Sequence, residues 1–463
     1  MTSLGPFHPI YYAPFHILSK FLDLDGLKSV SYTNRSLKKL ISNTATPTVK
    51  INNVKIGIIW MKVCPKVKIE APYGLNLISD QQLTRLTRLT YLFLKPYTLH
   101  KVTNAALLSL KCLNHLNLRK NNWIEDEHLL NLTSVTKLNL AQTANITNAA
   151  ILNLPNLKVL ILYRNNLITD AGIQHLTNLR CLFLAQNKGI TDAGIQPLTA
   201  LTHLILRSCD HITDLGLQPL TNLVELKFES LKITSQSIMR LKNLTSLDFE
   251  GTRINDEVLS LPLKHLAIKH TIITAKGIGE MKYLRELTLR YNHNKIINDD
   301  FKNFAFLTKL TVNRDDKITD EGLGSLIALR DLKIYRNSKI DGNCFRFLSD
   351  LTSLTIFWSS VGDINMKYLS KLERISVNSC RYITDAGINV LSNLKYAYLS
   401  DAYEGFVNRK VIYSFSDAAL IPLMKLRRVH LTIKNNIFDW DMILYKRGVK
   451  IIRNSNFITE TVF

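Results

Sequence analysis

The sequence lacks the usual features of secreted and membrane-spanning chains. Its six cysteines are scattered singly, without a C-x-x-C pair or a Cys/His cluster at zinc spacing. No run of about 18 uncharged apolar residues is present, so we expect no membrane span. The start, Met1–Pro6, lacks the basic region of a classical signal peptide. We therefore expect free thiols and an intracellular location, in the cytoplasm or the nucleus.

Motifs for catalysis are also missing. The sequence contains no G-x-S-x-G nucleophile elbow, no G-x-x-x-x-G-K-[ST] phosphate loop and no H-E-x-x-H zinc helix. Its 12 histidines are spread singly along the chain. We therefore expect a chain that is not an enzyme, with no catalytic residues, no metal site and no cofactor.

Acidic residues are few relative to basic ones: 37 Asp and Glu stand against 59 Lys and Arg, a formal charge of +22. Such an excess favours nucleic acid, anionic lipid or an acidic protein as a partner. The basic residues form no dense block, however, and Lys, Asn and Ile are frequent throughout. Compositional drift is therefore the alternative explanation of the charge.

Apolar residues, by contrast, recur at a nearly fixed interval. Leu157, Leu179, Leu201 and Leu223 lie 22 residues apart, and the first three open the phrase Leu-x-x-Leu-x-Leu. A period in the 20s is typical of a leucine-rich-repeat solenoid. The sequence thus predicts an α/β horseshoe with a parallel sheet on the concave side and short helices on the convex side, a shape usually used for binding.

A second phrase, Ile-Thr-Asp-Ala-Gly, begins at Ile168 and again at Ile190. Its Ile should point into the core, and its Thr is a good helix N-cap because the hydroxyl accepts a hydrogen bond from a free amide. The Asp favours the positive end of a helix, and the Gly suits close approach between neighbouring helices. Each repeat is therefore predicted to be a strand, a turn and a short helix.

The repeats resemble those of F-box/leucine-rich-repeat proteins and of microbial ITDAGL-type repeat proteins, over about residues 60–440. The start of the chain resembles an F-box in Pro14 with Ile17-Leu18, in Phe21–Leu27 (FLDLDGL) and in Val30–Ile41 (VSYTNRSLKKLI). The family often has Glu where His16 stands and Trp where Leu37 stands. A plain helical cap at the exposed end of the solenoid is the alternative.

An F-box implies docking onto the Skp-type adaptor of an SCF ubiquitin ligase. By this resemblance, the adaptor-binding positions are Pro14, Ile17, Leu18, Leu22, Leu27 and Val30. The chain then divides into an F-box-like helical head (1–45), a linker or cap (46–60), about 17 repeats (61–433) and a C-terminal cap (434–463). The interval from the repeat leucine Leu394 to the next one, Leu426, is longer than the others and predicts an insertion around 401–413.

Strand alternation identifies the residues that face outward on the concave side. The later repeats carry a basic and aromatic band there, made of Lys269, Arg290, Tyr291, Arg314, Tyr335, Arg336, Phe357 and Trp358. Aromatic residues and Arg are frequent in binding hot spots, and Arg pairs well with acidic or phosphorylated segments. Nucleic acid is less favoured, since no nucleic-acid motif is present and Glu225, Glu229 and Glu250 interrupt the middle repeats.

Together these features imply a non-catalytic protein–protein interaction module that acts as a substrate receptor of an SCF-type ubiquitin ligase. The alternatives are a leucine-rich-repeat scaffold, or a microbial effector in a host cytoplasm, in either case without adaptor binding.

Overall fold

The computed structural model describes residues 48–400 except 52, 64–66, 73, 76–78, 97–101, 231, 252 and 292–295, and also describes 406–407, 410–411, 428–432 and 450–451. The predicted F-box-like head, with all six predicted adaptor-binding residues, lies outside the described residues. So does most of the predicted C-terminal cap. The chain forms two compact units that divide between Leu223 and Val224.

The first unit contains a parallel sheet in which each strand pairs with the next along the chain. Its strands are β1 Thr48–Lys50, β2 Lys68–Ala71, β3 Leu89–Phe93, β4 His115–Asn117, β5 Lys137–Asn139, β6 Val159–Tyr163, β7 Cys181–Ala185 and β8 His203–Arg207. Between them lie the helices Val54–Val63, Asp80–Leu83, Asn104–Leu108, Asn148–Leu152, Asp170–Ile173 and Asp192–Ile195, and the 3₁₀ turn Asp126–Leu129, with the helix Asp214–Leu217 after β8. The segment assigned from sequence as linker or cap thus contributes β1, which adds a strand to the edge of this sheet.

The second unit repeats the pattern. Its parallel strands are β9 Glu225–Glu229, β10 Ser246–Glu250, β11 His265–Lys269, β12 Glu286–Arg290, β13 Lys309–Asn313, β14 Asp331–Asn337, β15 Ser353–Ser359, β16 Arg374–Asn378, β17 Tyr396–Ser400, β20 Arg428–Thr432 and β21 Lys450–Ile451, with a hairpin of β18 Phe406–Val407 and β19 Lys410–Val411. Between them lie the helices Ser235–Ile238, Ala275–Gly279, Asp320–Leu323 and Asp385–Asn389, and the 3₁₀ turns Asp256–Ser260, Asn298–Phe304, Asn343–Phe347 and Asp363–Tyr368. Because β17 pairs directly with β20, the chain between them is an insertion, as the long interval predicts.

The leucine phrase sets the register of the sheet. Leu157, Leu160 and Leu162 are completely buried, whereas Val159 and Ile161 between them are half-buried on the opposite face of β6. Burial of each such leucine contributes about 1.5–3 kcal/mol. The pattern recurs from β3 to β17, so the predicted leucine-rich-repeat solenoid is confirmed for both units.

Side chains just past the strands satisfy buried backbone carbonyls of the preceding repeat. The amide of Asn165 is buried and donates to the Leu140 carbonyl oxygen at 2.6 Å, and that of Asn187 donates to Leu162 at 3.1 Å. In another repeat the Cys209 thiol takes this place, with its sulfur 3.6 Å from the carbonyl oxygen of Leu184. Asn and Cys at this position therefore have the same structural role.

The Asp of the second phrase lies in the first turn of its own helix, as expected, and it also joins neighbouring repeats. The Asp192 carboxylate accepts hydrogen bonds from the Thr213 backbone nitrogen at 2.8 Å and from the Thr213 hydroxyl at 2.7 Å, one repeat further on. The Thr213 hydroxyl in turn accepts from the backbone nitrogen of Leu215, so the predicted N-cap is confirmed. Like Thr213, Thr191 and Thr384 are held by the repeat before them and cap the helix after them.

The glycine of this phrase makes room for that carboxylate. A Cβ at Gly216 would lie 2.3 Å from Asp192 Oδ1, and one at Gly387 would lie 2.2 Å from Asp363 Oδ1. Where His128 or Val258 takes the corresponding position, the return segment is a 3₁₀ turn instead of an α-helix. The close packing expected from sequence therefore occurs against a side chain of the previous repeat.

Candidate protein-binding face

The outward residues of the second unit form continuous rows across its sheet. Parallel pairing places Lys269 beside Arg290, Arg290 beside Asn313, Asn313 beside Tyr335 and Tyr335 beside Phe357. All five side chains are half-buried, because each packs against its neighbours in the row while one side faces solvent. This row provides a mixed cationic, amide and aromatic surface on β11–β15.

A second row, here called the post-strand row, lies next to it. Its members lie five positions after the first residue of a strand and have left-handed backbone, with φ between 49° and 64°. In the second unit they are Gly251, His270, Tyr291, Arg314, Arg336, Trp358 and Ser379, and in the first unit Lys120, Gln142, Arg164, Gln186 and Ser208.

The residues of the post-strand row are mostly not the type that its backbone conformation favours. Left-handed backbone costs a non-glycine residue about 1–2 kcal/mol, and glycine avoids that cost, as at Gly251. Bulky Tyr291 and Trp358 nevertheless occupy two of these turns. The side chain, and not the backbone preference, therefore explains the choice of residue there.

Part of the positive charge of the basic band is compensated by two acids on β10, a pairing that the sequence did not indicate. Lys269 pairs with Glu250, and Arg290 Nη2 lies 3.7 Å from Asp248 Oδ2. Equal register places Glu250 on β10 beside Lys269 on β11. Arg290, on β12, reaches across β11 towards Asp248, whose register partner is Ala267. The positive charge at this end of the band is therefore smaller than composition indicates.

The remaining arginines of the band contact aromatic rings. The guanidinium carbon of Arg336 lies 3.9 Å from the ring centre of Trp358. Arg314 donates a hydrogen bond to the Tyr291 hydroxyl, and its guanidinium carbon lies 5.1 Å from the centre of that ring. Among the described residues, neither Arg314 nor Arg336 forms an ion pair with a carboxylate.

Aromatic side chains complete the face at β14 and β15. The rings of Tyr335 and Phe357 lie 5.2 Å apart between centres, and Trp358 is 46% exposed. Burial and the nearby Asp331 carboxylate both raise the pKa of the Tyr335 phenol, so it stays protonated at neutral pH. An aromatic surface therefore lies next to two arginines that have no carboxylate partner in the part of the chain that the structure describes.

All eight band residues predicted from sequence thus lie on the five adjacent strands β11–β15 or directly after them, in the two rows just described. Their use by a partner stays a prediction. The post-strand geometry and the compensating acids are the features that sequence reasoning did not supply.

The cysteines in the described part of the chain differ in burial and in the pKa of their thiols. Five free cysteines are present, and burial raises the pKa of Cys209 and Cys344 and that of Cys380 to about 11. These three thiols are therefore protonated and poorly nucleophilic at neutral pH.

No cluster of three or more His, Cys, Asp or Glu side chains suited to a metal occurs among the described residues. No described helix has the length and apolar character needed to cross a membrane.

Comparison with known proteins supports the repeat assignment. A family model described as leucine-rich repeat matches residues 175–198 and 199–220. A search of curated proteins returned no match.

Several solved structures are similar to the chain. A TLR13–ssRNA13 complex is 20% identical over 83% of this chain, with a TM-score of 0.48, and the matched region spans 62% of the TLR13 chain. A leucine-rich-repeat protein of Leptospira interrogans is 21% identical over 81% of this chain and 98% of that one, with a TM-score of 0.44. The Rad7–Elc1 complex of yeast is 16% identical over 76% of this chain and 88% of that one, with a TM-score of 0.42.

Proposed function

We propose that this chain is a protein-interaction module that serves as a substrate receptor of an SCF-type ubiquitin ligase. The F-box-like head would bind a Skp-type adaptor, and the sheet face of β11–β15 would bind the protein to be ubiquitinated. Ubiquitin transfer itself is assigned to other subunits.

The observation that carries the binding role is the exposed Trp358 beneath Arg336. A tryptophan in left-handed backbone at an exposed position brings no benefit to the core and exposes apolar surface to water. Arginine, tyrosine and tryptophan are the residue types that contribute most to protein interfaces. Their grouping on two adjacent strands supports recognition of a protein partner.

The adaptor half of the proposal rests on the sequence resemblance of residues 14–41 to an F-box. It is tested by co-expressing the full chain with a Skp-type adaptor and measuring co-purification. We expect the adaptor to be recovered with the natural chain and lost from the Leu18→Asp, Leu22→Asp double variant.

A matched control makes the same chemical change elsewhere. Leu152 and Leu215 are exposed leucines on return segments of the first unit, so Leu152→Asp with Leu215→Asp should keep the adaptor. Circular dichroism and thermal melting establish that both double variants are folded. A folded natural chain that recovers no adaptor would instead support the scaffold or effector alternative.

The substrate half is tested separately by Trp358→Ser with Arg336→Gln. Proteins captured by the natural chain in the presence of a proteasome inhibitor should be lost from this variant, while adaptor recovery is unchanged. Loss of the adaptor as well would indicate misfolding, and unchanged capture would place the substrate site elsewhere.

A further inference from the structure

Four consecutive members of the post-strand row have the order aromatic, cation, cation, aromatic. They are Tyr291, Arg314, Arg336 and Trp358, contributed by β12–β15 or the turns directly after them. The two central arginines form no ion pair with a described residue, whereas Lys269 and Arg290 next to them are compensated by Glu250 and Asp248. This part of the face therefore has two positive charges that no described carboxylate pairs with, and an exposed indole beside them.

The spacing of the row matches that of an extended chain lying across the strands. Neighbouring strands are about 4.8 Å apart, so the midpoint of Arg314 and Arg336 lies about 7 Å from the position of Trp358. In an extended segment, residues i and i+2 point to the same side and are also separated by about 7 Å. An anionic side chain over the arginines would thus place the side chain two residues later over the indole.

We propose that the row binds an extended protein segment in which an Asp or Glu is followed two residues later by a large apolar residue. The carboxylate accepts hydrogen bonds from Arg314 and Arg336, whose guanidinium groups keep free N–H donors beside their aromatic contacts. The apolar side chain covers Trp358, with Phe357 and Tyr335 in the adjacent row. This inference rests on the proposed use of the face for protein binding and not on the F-box-like head.

The distribution of charge favours a carboxylate-containing segment over a nucleic acid. A phosphodiester backbone requires cations along its whole path, because neutralisation of successive phosphates dominates its binding. Here Asp248 and Glu250 lie at one end of the band, and Asp331 is within the face on β14. These acids would repel a continuous polyanion but leave room for a single carboxylate at the arginine pair.

The test uses the full chain and short fluorescent peptides in a neutral Gly/Ser background. One peptide contains Glu-Ser-Leu. Three comparison peptides contain Gln-Ser-Leu, Glu-Ser-Ser, or phosphoserine in place of Glu. A single-stranded RNA oligonucleotide is the other macromolecular probe. Fluorescence polarisation titrations at low salt should show binding of the Glu-Ser-Leu peptide. The Gln-Ser-Leu and Glu-Ser-Ser peptides, which lack the charge or the leucine, should bind with about tenfold lower affinity.

Variants assign the contacts. Arg314→Gln and Arg336→Gln should each weaken Glu-Ser-Leu binding about tenfold and remove the preference for Glu over Gln, and Trp358→Ser should remove the preference for Leu over Ser. Arg164→Gln is the matched control, because Arg164 has the same post-strand backbone and lies over Tyr163 at 5.1 Å, but belongs to the first unit. It should leave binding unchanged.

Other outcomes overturn the inference. Absence of peptide binding, equal effects of Arg164→Gln and Arg336→Gln, or tighter binding of RNA through the same arginines would each refute the carboxylate–apolar motif. If the phosphoserine peptide binds more than tenfold more tightly than the Glu peptide, the group recognised by the arginines is a phosphate dianion and not the proposed carboxylate. If the motif fails while Trp358→Ser with Arg336→Gln still loses captured proteins, the proposed receptor role stands without it.

Discussion

The carboxylate of Asp170 connects two repeats: its Oδ1 lies 2.7 Å from the backbone nitrogen of Thr191, and its Oδ2 lies 2.7 Å from the Thr191 hydroxyl. Asp170→Ala removes both acceptors and leaves the Thr191 amide without this partner. We expect the free energy of unfolding to fall by about 1.5–3 kcal/mol, measured by urea denaturation.

A conservative variant separates this contact from charge alone. In the preceding repeat, Asn148 Oδ1 accepts from the Thr169 backbone nitrogen at 2.9 Å, and Asn148 Nδ2 donates to the Thr169 hydroxyl at 2.8 Å, the reverse of the second Asp170 bond. Asp170→Asn should therefore retain most of the stability. Equal losses for Ala and Asn would show that the negative charge, and not the hydrogen-bond geometry, stabilises the junction.

Gly194 leaves space for the Asp170 carboxylate, since a Cβ there would lie 2.3 Å from Oδ1. Helix propensity alone would favour Ala by about 1 kcal/mol, but the clash should outweigh it and make Gly194→Ala destabilising by about 1–3 kcal/mol. In the Asp170→Ala background the same substitution should cost less, because the obstructing atoms are gone. Additive effects in this double-mutant cycle would contradict the proposed contact.

Leu204 is 0% exposed in β8, whereas Ile205 beside it is half-buried on the outer face. Leu204→Asp buries an unpaired carboxylate and should destabilise the first unit by more than about 4 kcal/mol, with loss of hydrogen-exchange protection in the flanking repeats. Ile205→Asp should have a much smaller effect. Similar melting curves for both variants would refute the strand register.

Thiol reactivity should follow burial. The Cys112 side chain is exposed, while Cys380 is buried and its pKa is about 11. At pH 7.5 we expect iodoacetamide to modify Cys112 quickly and to reach Cys209, Cys344 and Cys380 only after denaturation, as read by peptide mass spectrometry. Rapid labelling of Cys380 in the native chain would mean that its repeat opens readily.

His115 should make stability depend on pH. Burial and the Lys137 ammonium lower the pKa of its imidazole below the usual 6.5, and the ring stacks on Tyr91 at 3.9 Å. Below pH 6.5 the unfolded chain therefore binds the proton first, and stability falls as the pH decreases towards the folded-state pKa. His115→Gln should reduce the loss of stability between pH 7.5 and pH 5, measured by urea titrations. An unchanged loss would show that other groups are responsible.

Much of the fold could be predicted from the sequence because the residues that define the strand and the helix start lie close together within each repeat. The Leu157, Leu160 and Leu162 spacing defines one buried face of a strand, and Thr191 marks the start of a helix; both are local properties of the chain. The outward rows follow from the same alternation, which is why the band from Lys269 to Trp358 could be identified before any coordinates.

Other features depend on residues about one repeat apart and could not be read from one phrase. Only alignment of neighbouring repeats shows that Asp170 serves Thr191, that Gly194 accommodates Asp170, and that Glu250 compensates Lys269.

The amino-acid sequence by itself determined the repeat, its strands and helix starts, and the side chains that face solvent, because periodicity and capping act within a few residues. The tertiary structure decided which of those exposed charges have partners and which backbone conformation presents them. Lys269 and Arg290 are compensated by acids on β10, whereas Arg314 and Arg336 form no ion pair with a described carboxylate, since electrostatic compensation depends on distance in space and not on position along the chain.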